Sequence, residues 1–466
     1  MKKIVLSLFI ACCCLTACDR KSTTAQVSDY NVIPLPQEII MEKGAGFELD
    51  GNTVIAYGGN ESLKRNAELL AVYIKESTGL ELQIAKGEAP QGNNTISLAT
   101  DNVTGNDEGY RLTVANDGIK IAALSPAGVF YGIQTLRQIF ENADIYELTI
   151  DDKPDCKFRG FYHDVTRGKA AKVESLKKLI DELAYYKVNS FQIYVEHSFP
   201  FKEFEGRWDE DCLITADEIR ELDAYCHDNF IDFVPSMATF GHLYELLNQD
   251  KYAHLREIEN YEPEHVFWYE RMLHHTLDPL NPESFEVVKS MLNQYLPLFT
   301  SEWVHICGDE PFDLLIGKHK DMDTDELYVE FMLKVINYVK SMGKKVMMWA
   351  DILLEHPEVI DELPEDICFL NWWYWPGADE QRFSHFAKIN RTQIVCPGTT
   401  SWNRFCEDVD VEEENICKMV EYGYKYGAVG VLNTNWGDWG NPCSLELAMH
   451  GMALCAAKSW NIKTQP

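Results

Sequence analysis

Two adjacent carboxylates, Asp309 and Glu310, stand near the end of the stretch HICGDEPF, His305–Phe312. They follow a short apolar run, and two anions rarely sit together in such company unless solvent, a partner or a reaction accounts for them. An exposed turn is the plain account, since turns collect Gly and Asp. The chemical account is acid–base work: a protonated carboxyl delivers a proton to a leaving oxygen, and a carboxylate stabilises positive charge developing nearby. Neighbours on one strand point apart. The pair therefore suits double displacement poorly, because that scheme needs two carboxyls from different strands about 5–5.5 Å apart. It suits a reaction whose nucleophile belongs to the substrate, with one carboxyl orienting that group and the other protonating the leaving oxygen.

The elements that must hold such a pair are readable in the rhythm of the chain. From residue 158 onward, strand-like runs alternate largely with helical ones: FRGFYHDV, NSFQIYVE, IDFVPSMA, EWVHICG, KKVMMWA, ICFLNWWY, QIVCPGT and AVGVLNTN. Eight strands alternating with helices fit a closed (β/α)8 barrel of the α/β class better than an open sheet. The links after the fifth and sixth strands carry the weakest helical pattern. In this architecture active sites gather where strand C-terminal ends meet the following loops. Asp309 and Glu310 fall at such an end, and so do Asp164 and Arg167, Glu196 and His197, Gly241 and His242, Trp349 and Asp351, Trp372 to Trp375, Trp402, and the NWGDWG group containing Trp436 and Asp438.

Indole faces pack against the apolar side of a pyranose, while carboxylates, Arg and His bind hydroxyls through charge-assisted hydrogen bonds. This mixture points to carbohydrate; core packing is the competing account for each Trp. For Trp373 and Trp375, which share a parity, either face of a strand is open. Composition agrees with a globular chain, 46% hydrophobic and 25% charged. A net charge of -32 argues against nucleic acid and anionic lipid headgroups as partners and favours a neutral ligand. Among the 14 cysteines no CxxC pair occurs, so neither a disulfide framework nor a cysteine metal site is expected.

Lys2 and Lys3 precede the apolar run IVLSLFIACCCL, too short to span a bilayer, and then a small-residue site. The segment Leu15–Cys18 resembles the processing box of bacterial lipoproteins, which implies lipidation of Cys18 and a membrane-anchored location in the cell envelope. The domain plan is then a signal segment over 1–18, a polar tether over 19–30, a small α+β domain over 31–150 and the barrel over 151–466. The small domain is read from strand-like runs between residues 52 and 150 and helices over Glu61–Ser77 and Ala127–Phe140.

Taken in order, these motifs resemble the family 20 glycoside hydrolases, the β-N-acetylhexosaminidases. GDE (Gly308–Glu310) is similar to the family's catalytic signature, and FRGFYHDVTR looks like its first-strand motif with Arg167 as the sugar-binding arginine. YYKVNSFQIYVEHSF, FGH and NTNWGDWGN correspond to its second-, third- and eighth-strand regions. The resemblance implies that the substrate's 2-acetamido carbonyl attacks the anomeric carbon, that Asp309 orients this amide and that Glu310 is the acid and then the base. It further implies a tyrosine on the carbonyl, with Tyr374 the candidate and Tyr194 and Tyr244 also in suitable loops. Trp349, Trp372 and Trp402 would wall the acetamido pocket, and Arg167, His197, His242, Trp436 and Asp438 would contact the sugar. No cofactor or metal is implied. Ala238 and Phe240 replace the family's acidic residue and proline ahead of GH, and VEHSF departs from the commonest second-strand version, which points to a divergent branch. Three other readings compete: a retaining glycosidase pairing Glu310 with Glu196, a metal hydrolase using Asp164, His197, His242 and Asp309, and a surface glycan-binding protein whose catalysis has decayed.

Overall fold

The computed structural model describes residues 31–42, 44, 46–87, 94–142, 145–259 and 275–465. Cys18, the signal segment and the tether lie outside the described residues. Seven strands, β1 (Glu38–Met41), β2 (Val54–Ala56), β3 (Gln83–Ala85), β4 (Thr95–Thr100), β5 (Tyr110–Ala115), β6 (Gly118–Ala123) and β7 (Leu148–Asp152), form a mixed sheet in the order β1-β7-β5-β6-β4-β2-β3. β5 and β6 pair antiparallel through the Asn116–Asp117 turn, as the NDG sequence requires. Helices Lys64–Thr78 and Pro126–Asn142 bury their apolar stripes on this sheet. β1 has no counterpart in the sequence reading, because four residues flanked by charges carry too short a pattern.

The second sheet has eight strands: β8 (Phe158–Asp164), β9 (Ser190–Tyr194), β10 (Asp232–Pro235), β11 (Trp303–His305), β12 (Lys345–Trp349), β13 (Cys368–Trp372), β14 (Thr392–Cys396) and β15 (Gly430–Asn435). Neighbours pair parallel in the order β10-β9-β8-β15-β14-β13-β12-β11, and the parallel bridge Ser236–His305 closes the ring. This is the expected (β/α)8 barrel. Tyr162, Tyr194, Val234, Met347, Trp349, Leu370, Ile394 and Leu432 fill the interior. The outer helices begin at side-chain caps, for example Thr215 with Glu218 in a capping box before Ala216–Asp228, and Asp323 before Thr324–Ser341. The two weakly patterned links are short helices, Asp351–Glu355 after β12 and Glu380–Lys388 after β13, which explains their faint periodicity. Register sets the site: β8–β9 pairing brings Asp164 level with Tyr194, and β15–β8 pairing brings Asn435 level with His163, so these loops leave the barrel at one height.

A buried polar seam fastens the small domain to the barrel. Lys187 Nζ lies 3.2 Å from Asp152 Oδ2 and donates to the Tyr110 hydroxyl at 3.0 Å, while Trp460 Nε1 donates to both Asp152 oxygens at 2.9 and 3.0 Å. Burial pulls Lys187 down to about 8 in spite of the adjacent carboxylate. Beside it, Arg159 grips Glu108 with two bonds of 2.8 and 3.0 Å. Removing one partner of a buried pair strands the other charge, at a cost of about 3–5 kcal/mol. Lys187→Met should therefore destabilise the protein by that amount in chemical denaturation, and Lys187→Met/Asp152→Asn should recover part of the loss. A cost for the single variant below about 1 kcal/mol, the level of a surface pair, would remove the seam from this role.

Candidate active site

Asp309 and Glu310 leave β11 on a contorted backbone. Cys307, Gly308 and Glu310 have φ of 55°, 88° and 46°, and His242, from the loop after β10, has φ 58°. A left-handed non-glycine residue costs on the order of 1–3 kcal/mol and persists only where its surroundings hold it. At Gly308 a Cβ would come within 2.6 Å of Met332 Cε, and the Tyr328 hydroxyl donates to the Gly308 carbonyl at 2.9 Å. The Glu310 amide donates to Asp351 Oδ2 at 3.0 Å. A Cβ at Gly241 would lie 2.6 Å from the Asp309 carbonyl oxygen, so only glycine admits this approach of the two loops.

His242 joins the pair. Its Nε2 lies 3.2 Å from Asp309 Oδ2 and 3.3 Å from Glu310 Oε2. The His242 amide donates to His275 Nδ1 at 2.6 Å, and the two imidazoles stack at 4.6 Å. The amides of His275 and Thr276 both donate to Asp313 Oδ2 at 2.8 Å. His242 thus takes its support from His275 rather than from Ala238 or Phe240. Burial disfavours charge on His242, but the carboxylates of Asp309 and Glu310 prevail and raise it to about 10, making it an imidazolium at neutral pH. Burial alone would push Asp309 up; the charge of His242, 3.2 Å away, holds it below the usual carboxylate range. Asp351, buried and repelled by Asp309, is pushed up to about 8.

Across the barrel mouth, Asp164 organises Arg167. Its Oδ1 accepts from the amides of Thr166 and Arg167 at 2.9 and 3.1 Å, and its Oδ2 accepts from the Gly437 amide at 3.0 Å and Arg167 Nη1 at 3.2 Å. The guanidinium lies over the rings of Tyr194 and Trp436 at 4.7 and 5.0 Å, and 3.5 Å from carboxylate oxygens of Glu196 and Asp438. Burial opposes ionisation of Glu196, but His197 and Arg167 hold it at about 2.

A cavity of about 410 Å³ separates these two groups. Arg167, His242, Asp309, Glu310, Trp349, Trp372, Tyr374, Trp402, Trp436 and Asp438 all line it. Trp372 and Tyr374 stack at 5.1 Å, and Tyr374 lies 5.5 Å from Trp402 and 6.5 Å from Trp436. Of the tyrosine candidates, Tyr374 faces this cavity, whereas the Tyr194 hydroxyl donates to Glu196 at 2.8 Å and Tyr244 lines a neighbouring cavity. His197 is also placed in that neighbour, stacked on Trp208 at 4.7 Å. β13 ends at Trp372, so strand parity does not extend further: Trp373 packs outward under Arg382 at 5.2 Å, and Trp375 lines the cavity. Trp375 and Trp439 also line the cavity and Asp351 accepts from the Glu310 amide; the sequence places all three at strand ends with no individual role. Of the four residues considered for a metal, the structure brings His242 and Asp309 together with Glu310, their ligand atoms within 4.8 Å. Both Asp164 oxygens are engaged by backbone amides and Arg167.

Comparison with known proteins gives the same division into two domains. Residues 29–153 match "Glycosyl hydrolase family 20, domain 2" and residues 156–441 match "Glycosyl hydrolase family 20, catalytic domain". A β-hexosaminidase of Porphyromonas gingivalis is 29% identical over 397 residues, 76% of this chain and 50% of that protein. A lacto-N-biosidase of Bifidobacterium bifidum is 22% identical over 412 residues, 83% of this chain and 33% of that protein. The chain thus spans half the length of the first relative and a third of the second. In fold it is similar to the family 20 β-N-acetylhexosaminidase of Streptomyces coelicolor, with a TM-score of 0.75 and 21% identity over 95% of this chain and 93% of that one. A chitobiase of Flavobacterium johnsoniae gives a TM-score of 0.76 at 22% identity, over 94% and 71% of the two chains. With both of its domains matched in sequence, the chain belongs to glycosyl hydrolase family 20.

Proposed function

We propose that the protein is an exo-acting, retaining β-N-acetylhexosaminidase that removes terminal β-linked N-acetylglucosamine or N-acetylgalactosamine from glycans by substrate-assisted catalysis. The observation that carries this reading is the adjacent Asp309–Glu310 pair, bridged by His242 inside an indole-walled cavity. Glu310 protonates the leaving oxygen while the substrate's acetamido carbonyl oxygen attacks the anomeric carbon to form an oxazolinium. Asp309, held ionised by His242, faces the amide N–H and the positive charge that grows there. Tyr374 holds the carbonyl, and Trp349, Trp372 and Trp402 enclose the methyl group. Trp436 underlies the ring, and Arg167 and Asp438 bind its outer hydroxyls. Glu310 then takes a proton from the water that opens the oxazolinium, which returns the β-configuration. A protein nucleophile at Glu196 is the weaker reading, because that carboxylate accepts from Tyr194, pairs with Arg167 and lines the neighbouring cavity. Relatives named β-hexosaminidase support the choice of sugar. The departures at Ala238, Phe240 and VEHSF support a divergent branch, and Leu15–Cys18 supports a lipid-anchored location in the bacterial cell envelope.

Glu310→Gln should keep the fold and much of the substrate affinity while lowering turnover of poor leaving groups by about 10²–10⁴-fold. Near-parental rates on natural glycans would take Glu310 out of the role. Asp309→Asn should abolish the advantage of substrates bearing a 2-acetamido group, read by comparing matched N-acetylhexosaminides and plain hexosides. Unchanged selectivity would contradict the assignment.

His242 carries a pH signature. Its folded value of about 10 stands above an ordinary value of about 6.5, so its contribution to stability is full below about pH 6.5 and is lost as pH rises through about 10. Melting temperature should fall across this window, and His242→Gln should lose that part of the slope. Identical slopes for the two proteins would mean that no imidazolium sits between the carboxylates.

A further inference from the structure

Glu407, Glu412 and His450 bring three ligand atoms within 4.8 Å of one another, and none of the three lines either cavity at the barrel mouth. Glu407 stands in the loop after β14, Glu412 in the first turn of the helix Val409–Lys425, and His450 in the first turn of the helix Met449–Trp460. Glu412 is fully buried. Its Oε1 lies 2.8 Å from His450 Nδ1, but its Oε2 has no hydrogen-bond partner among the described residues, and neither has the buried Oε2 of Glu407. No Lys or Arg among the described residues forms an ion pair with either carboxylate. Burial and the charge of Glu407 push Glu412 up to about 10, and burial raises Glu407 as well. Two carboxylates held side by side without a counter-charge take up either a proton or a cation.

Two other groups of this kind have no such deficit. Glu257 accepts from the amide and the ring of His319, and Asp278 accepts from Lys318 and from the amides of Leu280 and Asn281. Asp325, His356 and Glu358 are open to solvent, where water satisfies them.

The ligand set selects the ion. An imidazole beside two carboxylates favours a borderline ion such as Zn²⁺ over Ca²⁺ or Mg²⁺, which take oxygen. Two carboxylates and a neutral imidazole carry two negative charges, which a divalent ion cancels. Ligands about 2.0–2.2 Å from a tetrahedral zinc stand roughly 3.4 Å from one another. That separation falls between the 2.8 Å and 4.8 Å seen in the cluster. Glu413 Oε1 lies 3.7 Å from His450 Nε2, the position from which a carboxylate fixes the tautomer of a metal-bound imidazole. Gly451 leaves the room that the cluster needs, since a Cβ there would overlap the Glu412 carboxylate.

An ion here would join two loops of the barrel mouth. The loop after β14 carries Trp402 and runs on to Glu407, while the segment after β15 carries Trp436 and Asp438 and runs on to His450. The two already meet where the Asn403 amide donates to the Asp438 carbonyl at 3.2 Å. We propose that Glu407, Glu412 and His450 form a structural site for a divalent transition-metal ion of the zinc type, which clips the loop after β14 to the helix that follows β15. The site stands apart from the reaction proposed above, and its test reads bound metal and melting rather than glycoside cleavage.

Tag-free protein stripped with a chelator is brought to equilibrium dialysis against Zn²⁺ or, in parallel, Ca²⁺; bound metal is counted by plasma mass spectrometry and unfolding is followed by calorimetry. The parent should hold one zinc per chain more than Glu412→Gln or His450→Ala. Zinc at about 100 times its Kd should raise the parent's Tm by about 3–5 °C beyond any rise in the variants. An ion held by His242, Asp309 and Glu310 would survive both substitutions, so the difference between parent and variants is the reading. Equal zinc content and equal melting shifts overturn the site and leave the two carboxylates sharing a proton. Calcium bound as tightly as zinc overturns the choice of ion. Should either variant fold poorly, anomalous scattering at the zinc edge from zinc-soaked parent crystals decides, and the lack of a peak between the three side chains overturns the proposal.

Discussion

The site depends on the cation of His242. Asp309, Glu310 and Asp351 converge at the mouth of the barrel, and adjacent carboxyls in a cavity of low polarity would repel one another and take up protons. Asp351 shows this outcome: buried beside Asp309, it is pushed up to about 8. Asp309 escapes it because His242 Nε2 stands 3.2 Å away, and the same nitrogen reaches Glu310 at 3.3 Å. In the proposed reaction, the anion that would receive positive charge and the acid that would release a proton are thereby kept as neighbours. The imidazole is itself aimed by His275, whose backbone, with that of Thr276, is tied to Asp313. Positioning thus runs outward from the cation through hydrogen bonds between loops.

That arrangement is bought with backbone strain. His242 and Glu310 both hold left-handed conformations, and the approach of the Asp309 carbonyl leaves Gly241 no room for a side chain. Such geometry survives only on a rigid frame. The closed parallel ring provides one, with aromatic and aliphatic side chains packed through its interior. The seam of Lys187, Asp152, Tyr110 and Trp460 fixes the small domain against the barrel. Asp164 plays the matching part at the mouth, clamping the loops after β8 and β15 through Arg167 and the Gly437 amide.

The barrel was legible in the sequence because each strand is a short apolar run and each long helix a periodic one, and both signals are local. The cavity was legible for a related reason: strand ends converge in a closed barrel, so polar and indole residues at successive ends meet without any knowledge of distance. Where that logic fell short, the cause was tertiary. His197 follows Glu196 at a strand end, yet stacking on Trp208, which lies in the long loop after β9, draws it into the neighbouring cavity. Trp373 and Trp375 part company because β13 stops at Trp372. Lys187 and Asp152 carried no signal, since nothing in a sequence announces that two charges will be buried against each other. His275 gave no signal either: its role lies in the one nitrogen it offers to the amide of His242.

The strands also divide their labour. His242, Asp309 and Glu310 follow β10 and β11, and Trp349, Trp372 and Tyr374 come from the ends of β12 and β13, so the groups nearest the proposed bond cleavage occupy one arc of the ring. Arg167, Glu196, His197 and Asp438 follow β8, β9 and β15 on the opposite arc. The arcs touch through shared walls, Arg167, His242 and Trp439, while the carboxylate pair belongs to one cavity alone. The loop after β9 therefore shapes the neighbouring cavity through Glu196, His197 and Trp208 without carrying Asp309 or Glu310. A barrel whose loops are independent but whose strand ends are fixed permits this separation, although charge still couples the arcs, since Arg167 helps to hold Asp309 ionised.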